Sequence, residues 1–314
     1  MLMLVTGTRR PPEIDALCRI YSKATAKDIP WISETMSSEE MIKWWFDASW
    51  FDPDKFVTVY TMGRPAGFAF IWWRHGRIRI NPYIDPELPV GIATRALEAM
   101  FSWARNLAMI SNSYVVQVYA GPEHGFLHRL TTEIIGVGRP IISSYIMVAP
   151  ERITPEKKCR AEIREYTDGL ERIIAEIYND AFSVYSWFIP MTPDDVAKIY
   201  RSKRISALIA FIDGEPAGYV DFMSRGTSVK AGYIYTLAVK RKYQGLGIGR
   251  ALLSRAIDLL RRKGYSIVYL DAYDDVVGYY MKLGFRIIRR YINLEYTLNM
   301  LPVSQAYMII KDND

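Results

Sequence analysis

The second half of the chain shows its elements most clearly. AEIREY (161–166) and ISALIAFID (205–213) predict strands. The second of these joins AGYVDFM (217–223) through a turn at Gly214–Pro216 to form a hairpin. GYIYTLAV (232–239) and SIVYLDA (266–272) predict two further strands. Between those two the period changes to that of a helix. Leu252, Leu253, Ala256, Ile257 and Leu260 recur at helical spacing from Arg250 to Lys263, with basic Arg261–Lys263 in the last turn and Gly264 as the stop. Asp168–Phe182 carries Leu170, Ile173, Ile174, Ile177 and Tyr178 on one face, and Asp194–Tyr200 predicts a short helix. A short helix over 274–284 and a final pair of strands complete the half. The order β, α, α, β, β, β, α, β, α, β, β is a mixed α/β arrangement in which helices flank a central, mostly antiparallel sheet. At the other end of the chain, MLMLV predicts a buried first strand.

The first half repeats this pattern. GRPAGFAF (63–70) resembles GEPAGYVDF (214–222), with starting points 151 residues apart. Upstream, SSEEMIKWW (37–45) parallels TPDDVAKIY (192–200). Each is a small polar residue, two carboxylates and a helical apolar pattern, the signature of a helix start. Downstream, GIATRALEAM (91–100) parallels GIGRALLSRA (247–256). Matches in the same order at nearly constant offset predict a tandem duplication. The expected boundary lies in APERITPEKKC (149–159), which holds two prolines and a charge cluster. It divides the chain into domains 1–153 and 154–314.

Composition narrows the classes. Of 314 residues half are hydrophobic, enough for two cores. No apolar run is long enough to span a membrane, and the N-terminal apolar stretch is too short for a secretion signal. Cys18 and Cys159 form neither a metal box nor a disulfide framework, which fits a cytoplasmic location. His75, His124 and His128 share no ligand spacing, so no metal is expected. The net charge of +6 favours anionic ligands. Without a Lys/Arg tract beyond short clusters such as KRK at 240–242, it disfavours nucleic acid as the partner.

The stretch YQGLGIGR (243–250) places Gly245, Gly247 and Gly249 at the start of a helix, where each costs roughly 0.5–1 kcal/mol relative to alanine. A P-loop requires Gly-Lys-Ser/Thr, which is absent, and a dinucleotide fingerprint requires glycine where Arg250 stands. Asp271, about 20 residues on, suits a ribose-binding acid, but that fingerprint belongs to the first strand of its domain. LAVKRKYQGLGIGRALL (237–253) instead resembles motif A of the GNAT superfamily of acyl-CoA-dependent N-acetyltransferases. Gln244, Gly247 and Gly249 stand at its Gln/Arg-x-x-Gly-x-Gly/Ala positions. YYMKLGF (279–285) resembles the same family's Tyr-x-Lys-x-Gly-Phe signature. The resemblance implies two tandem GNAT-like domains. It implies acetyl-CoA as acyl donor, with the backbone of Leu237, Ala238 and Val239 pairing with the pantetheine arm. Gln244, Gly245, Leu246, Gly247, Ile248, Gly249 and Arg250 would cradle the pyrophosphate on a helix N-terminus, with charge from Lys240, Arg241 and Lys242.

It further implies transfer of an acetyl group to a primary amine, on a small molecule or a protein, by direct attack. Val239 N–H is then the oxyanion donor, and Tyr280, or Tyr279 beside it, is the acid for the leaving thiolate. The strand before motif A carries no carboxylate, so the base falls to Asp221 or Asp271, or to water. Asp221 otherwise reads as a solvated edge residue. The family's asparagine ahead of the tyrosine is absent, since Tyr273 stands there. The first half resembles a degenerate copy. In IDPELPVGIAT (84–94), Leu88 replaces the glutamine, Pro89 removes an N–H, and Glu87 brings negative charge, while His128 aligns with Tyr280. Trp44, Trp45, Trp50, Trp72 and Trp73 are core or pocket candidates in that half. The alternative function is an acyl-CoA-binding regulatory or sensor protein without turnover. A scaffold that binds no cofactor leaves the glycines unexplained.

Overall fold

The computed structural model describes residues 2–26, 37–47, 51–74, 77–153, 159–185, 188, 190–203, 205–225, 230–303 and 307–310. The first half runs β1 (Leu2–Thr6), α1 (Ile14–Ala26), α2 (Ser38–Met41), β2 (Phe56–Thr61), β3 (Arg64–Arg74), β4 (Arg77–Ile84), α3 (Val90–Ile110), β5 (Val115–Pro122), α4 (Phe126–Ile135) and β6 (Arg139–Val148). The second runs β7 (Glu162–Glu165), α5 (Glu171–Phe182), α6 (Pro193–Lys203), β8 (Ser206–Ile212), β9 (Glu215–Arg225), β10 (Ala231–Val239), α7 (Ile248–Arg262), β11 (Ile267–Tyr273), α8 (Val277–Lys282), β12 (Arg286–Thr297) and β13 (Tyr307–Ile310). Trp50, His75 and residues 154–158 of the expected boundary lie outside the described residues.

Two compact units result, and they are not the contiguous segments 1–153 and 154–314. One comprises Met1–Ser144 with Arg289–Asp314, the other Tyr145–Ile288. In the first unit the strand order is β13-β1-β2-β3-β4-β5-β12, and in the second β6-β11-β10-β9-β8-β7. The closing strand of each half therefore reaches into the other unit: β6 enters the second at Tyr145, and β12 enters the first at Arg289. Ala149, just past β6, donates to Val268 O of β11 at 2.8 Å. β12 pairs antiparallel with β5, from Tyr291 opposite Pro122 to Thr297 opposite Val115. The final pair of strands thus completes the first unit's sheet and not the second's. A strand's alternation marks its buried face, but it does not mark which open sheet edge the strand will cover.

Within each unit most neighbours are antiparallel, with parallel pairs at β4/β5 and β1/β13 in the first and at β10/β11 in the second. α3 buries Ala93, Ala96, Leu97, Met100 and Ala104 against the first sheet. α7 buries the five positions expected of it against the second. Full burial of a leucine or isoleucine contributes about 1.5–3 kcal/mol, so these stripes hold both helices in place. α7 ends at Gly264, whose φ of +84° only glycine adopts at ease. α6 starts at the expected box. Thr192 N donates to Asp195 Oδ2 at 2.9 Å, and Asp195 N donates to Thr192 Oγ1 at 3.2 Å. Trp45 packs edge-on against Tyr21 and Phe70 in the aromatic core under α1.

The duplication is visible in register. Gly67 lies opposite Ile84, the last residue of β4, and Gly218 lies opposite Val239, the last residue of β10. Immediately beyond, Asp85 N donates to Ala66 O at 3.0 Å and Lys240 N to Ala217 O at 2.9 Å.

Candidate active site

The two parallel strands of the second unit meet only at their start. β10 pairs with β11 from Ala231–Ile267 to Ile234–Leu270, yet β10 continues to Val239 and β11 to Tyr273. Against β9 the register of β10 shifts between Ile234 and Thr236, a bulge at Tyr235. A bulge bends its strand, and here it turns β10 away from β11. The strands form a fork. Because Lys240 N faces β9, alternation turns the N–H and C=O of Leu237 and Val239 toward the space β11 has left. The Val239 carbonyl accepts from Gln244 Nε2 at 3.1 Å, which ties the glutamine of the motif to the fork.

The glycine loop closes the wide end. Gly245 and Gly247 have φ of +80° and +79°, so both need glycine. α7 then starts at Ile248 with no side-chain cap on its first N–H groups. A Cβ on Gly245 would meet nothing within 4 Å, so the loop is open there. Not all the expected cations serve this cradle. Lys240 Nζ lies 4.0 Å from Glu176 of α5, Arg241 pairs with Asp180 at 3.8 Å, and Lys242 sits over the Tyr243 ring. Arg250, in the first turn of α7, is the cation placed on the helix end itself.

The two tyrosines of the second signature face opposite ways. Tyr280 turns inward at 9% exposure, edge-on to Phe285 at 5.4 Å, and burial pushes its phenol well above the ordinary range. Tyr279 turns outward at 40% exposure. Its Oη lies 2.9 Å from where a Cβ on Gly249 would stand, a point 3.7 Å from both Leu237 Cδ2 and Val239 Cγ2.

The carboxylates also differ. Asp221 is no solvated edge residue. It lies on β9, opposite Ala207 of β8 and Thr236 of β10, and is 2% exposed. Tyr200 donates to its Oδ2 at 3.3 Å, and burial together with this carboxylate pushes the Tyr200 and Tyr219 phenols far up. Asp271 stands one residue beyond the point where β10 and β11 part, and it is exposed. It accepts from Tyr233 Oη at 2.6 Å. Sequence reasoning named Asp271 but missed Tyr233, whose signal was only its place one residue before the last paired position. It also missed Tyr185, beyond α5, which bonds the Asp275 side chain and lies near enough to Tyr280 to affect its phenol.

The first unit has the same fork without the same equipment. β4 and β5 pair from Arg77–Val115 to Ile80–Val118 and then part. The loop beyond is occupied by its own acids. Glu87 N donates to Asp85 Oδ1 at 3.0 Å, and Lys23 of α1 reaches Glu87 at 2.5 Å and Asp85 at 4.0 Å. Pro89 caps α3. His128 and Tyr280 both lie in the helix that follows the fork, α4 in one unit and α8 in the other. α4 and α8 are both followed by a positive-φ glycine, Gly136 and Gly284. Counting back from these places Thr132 at the tyrosine's position and His128 one turn earlier.

The second unit thus carries a forked sheet edge beside a glycine-opened helix start. Residues 172–285, within the second unit, match the acetyltransferase (GNAT) family. N-alpha-acetyltransferase 30 of Schizosaccharomyces pombe is 26% identical over 139 residues, 41% of this chain and 86% of that protein. Two other matched acetyltransferases are spanned over less than half their length. A GCN5-related N-acetyltransferase from Sphaerobacter thermophilus superposes with a TM-score of 0.68 at 19% identity, over 95% of this chain and 96% of its own. A tandem GNAT protein from the clavulanic acid biosynthesis pathway gives 0.69 at 15% identity, over 95% and 99%. At these identities the two structures speak to the fold, which they share along nearly the whole chain. Among the described residues no helix is long and apolar enough to cross a membrane, and no cluster of His, Cys, Asp or Glu is placed to hold a metal ion.

Proposed function

We propose that the second unit is an acetyl-CoA-dependent N-acetyltransferase acting on a primary amine by direct attack. The observation that carries this reading is the fork, with Val239 N–H turned into it and the uncapped start of α7 at its wide end. The loop Gln244–Gly249 and Arg250 hold the pyrophosphate, and Leu237, Ala238 and Val239 lend the strand edge to the pantetheine arm. Val239 N–H donates to the thioester oxygen as negative charge grows on it. A donor fixed in place before the reaction is worth about 10²–10³ in rate.

Asp271 is the first choice of base. The incoming ammonium loses one proton toward its carboxylate, with Tyr233 Oη in the same hydrogen-bonded line. Asp221, one strand behind the fork, is the second choice. The neutral amine then forms the C–N bond, the C–S bond breaks, and the nitrogen's surplus proton leaves to solvent. The thiolate takes its proton from a phenol of the second signature, Tyr280 or its neighbour Tyr279. A phenol whose pKa burial raises stays protonated at neutral pH, so it holds a proton and cannot act as base, while the same shift makes it the weaker acid. The relative named for N-alpha acetylation makes a peptide α-amine the first acceptor to try. The first unit, with Asp85, Glu87 and Pro89 in its loop, contributes no donor site.

The test is calorimetric titration with acetyl-CoA, followed by release of CoA in the presence of a panel of peptides and small amines. One donor site per chain and amine-dependent release support the reading. Binding without release for any amine leaves the sensor alternative, and no binding removes the acyl-CoA assignment.

A further inference from the structure

Two neighbouring phenols compete for the donor, and the geometry separates them. The fork opens in the plane of the sheet, between β10 and β11. α8 follows β11, whereas α7 packs on β9 and β10. The point where a Cβ on Gly249 would stand lies 2.9 Å from Tyr279 Oη and 3.7 Å from Leu237 Cδ2 and Val239 Cγ2, so this side chain extends from the β11 side to the first turn of α7, near the end of β10. An arm laid along Leu237–Val239 toward the start of α7 would pass near that hydroxyl. Tyr280 points into the core formed with Phe285.

We propose that Tyr279, rather than Tyr280, is the phenol that meets the donor's pantetheine arm, and that residue 249 is glycine in order to seat it. This rests on the acyl-CoA reading above. It assigns Gly249 a different reason from its neighbours. Gly245 and Gly247 are required by their positive φ. Gly249 is an ordinary helical residue, where alanine would serve the helix better. The methyl of an alanine would stand 2.9 Å from Tyr279 Oη. That atom is the tip of a flexible side chain, so the phenol yields and the backbone does not. Gly249→Ala therefore spares the fold and displaces the tyrosine.

The experiment measures acetyl-CoA affinity and the thermal midpoint for wild type, Tyr279→Phe, Gly249→Ala and the double variant. Removing one neutral hydrogen bond weakens binding about 3- to 10-fold. Each single variant should lose affinity in that range with an unchanged midpoint. The double variant should bind no worse than Tyr279→Phe, since without the hydroxyl the added methyl has nothing to displace. Wild-type affinity in Tyr279→Phe, or additive losses in the double variant, overturn the proposal while wild-type binding keeps the acyl-CoA reading. Failure of the wild-type chain to bind overturns both. Tyr280→Phe supplies the contrast, with acetyl-CoA affinity expected to stay at the wild-type value. A loss there as large as in Tyr279→Phe would also count against the assignment.

Discussion

Gly218→Ala tests whether the end of β10 is held by close packing on its far side. A methyl at residue 218 would stand 2.8 Å from Ala238 O, 3.2 Å from Val239 Cγ2 and 3.3 Å from Ile248 Cγ2. Two effects oppose each other. Alanine stabilises a strand interior by roughly 0.5–1 kcal/mol relative to glycine. Forcing a methylene-sized group into a packed site costs about 1–3 kcal/mol. The second wins here, because the nearest atom is a backbone carbonyl inside a strand pair and cannot swing aside. The strands must part, for a net loss of about 1–2 kcal/mol. At 2–4 °C per kcal/mol for a chain segment of this size, the melting midpoint should fall by about 2–8 °C. The same shift moves Ala238 and Val239, so kcat should fall while the pyrophosphate end of the site, and with it most of the acetyl-CoA affinity, is kept. The assays are a thermal melt followed by circular dichroism and steady-state CoA release. A Gly218→Ala protein that melts at or above wild type would refute the packing argument, since the entropic gain of alanine would then be the larger effect.

Asp271→Asn should lower kcat at neutral pH at least tenfold and leave acetyl-CoA affinity unchanged, whereas an equal loss confined to Asp221→Asn would transfer the role of base. Gly247→Glu should abolish acetyl-CoA binding in calorimetry, by placing a side chain and a negative charge at the start of α7. The wild-type stoichiometry should be one per chain, and two sites would refute the closure of the first unit's loop by Asp85 and Glu87. Thr192→Ala should destabilise the second unit by about 1 kcal/mol through loss of the α6 cap. The Asp195 carboxyl in that box is held below its usual range by the Thr192 hydrogen bonds. Its stabilisation is therefore complete above the ordinary carboxylate pKa and lost as pH falls through the lowered folded value. The difference between wild type and Asp195→Asn in urea melts should shrink with acidification, and a difference independent of pH would refute it.

What the sequence disclosed and what it withheld have separate physical causes. The box at Thr192–Asp195, the glycine stop at 264 and the stripe of α7 depend on residues within a few positions of one another, so local pattern sufficed. The repeat was legible for a related reason: Gly67 and Gly218 occupy one structural role, tight against the last residue of a forked strand, and each copy carried its own glycine. The site's polar partners were a different matter. Tyr233 and Asp271 are 38 residues apart, and only the parallel register of β10 on β11 brings them together. Asp221 looked like an edge residue because one charge in an aromatic strand usually faces water, whereas it is buried beside Tyr200 of α6, a contact no periodicity encodes. The exchange of final strands was hidden most deeply. β6 and β12 read as strands whichever sheet edge they join, and nothing within a few residues of either names that edge. Duplication alone gives two copies, each able in principle to close its own sheet. The exchange makes each unit depend on a strand encoded in the other half, so a chain cut between 153 and 154 should leave both fragments with an open edge beside the fork, β5 in one and β11 in the other. The first half then has a structural role independent of any donor site of its own: it supplies β6, the strand that neighbours β11.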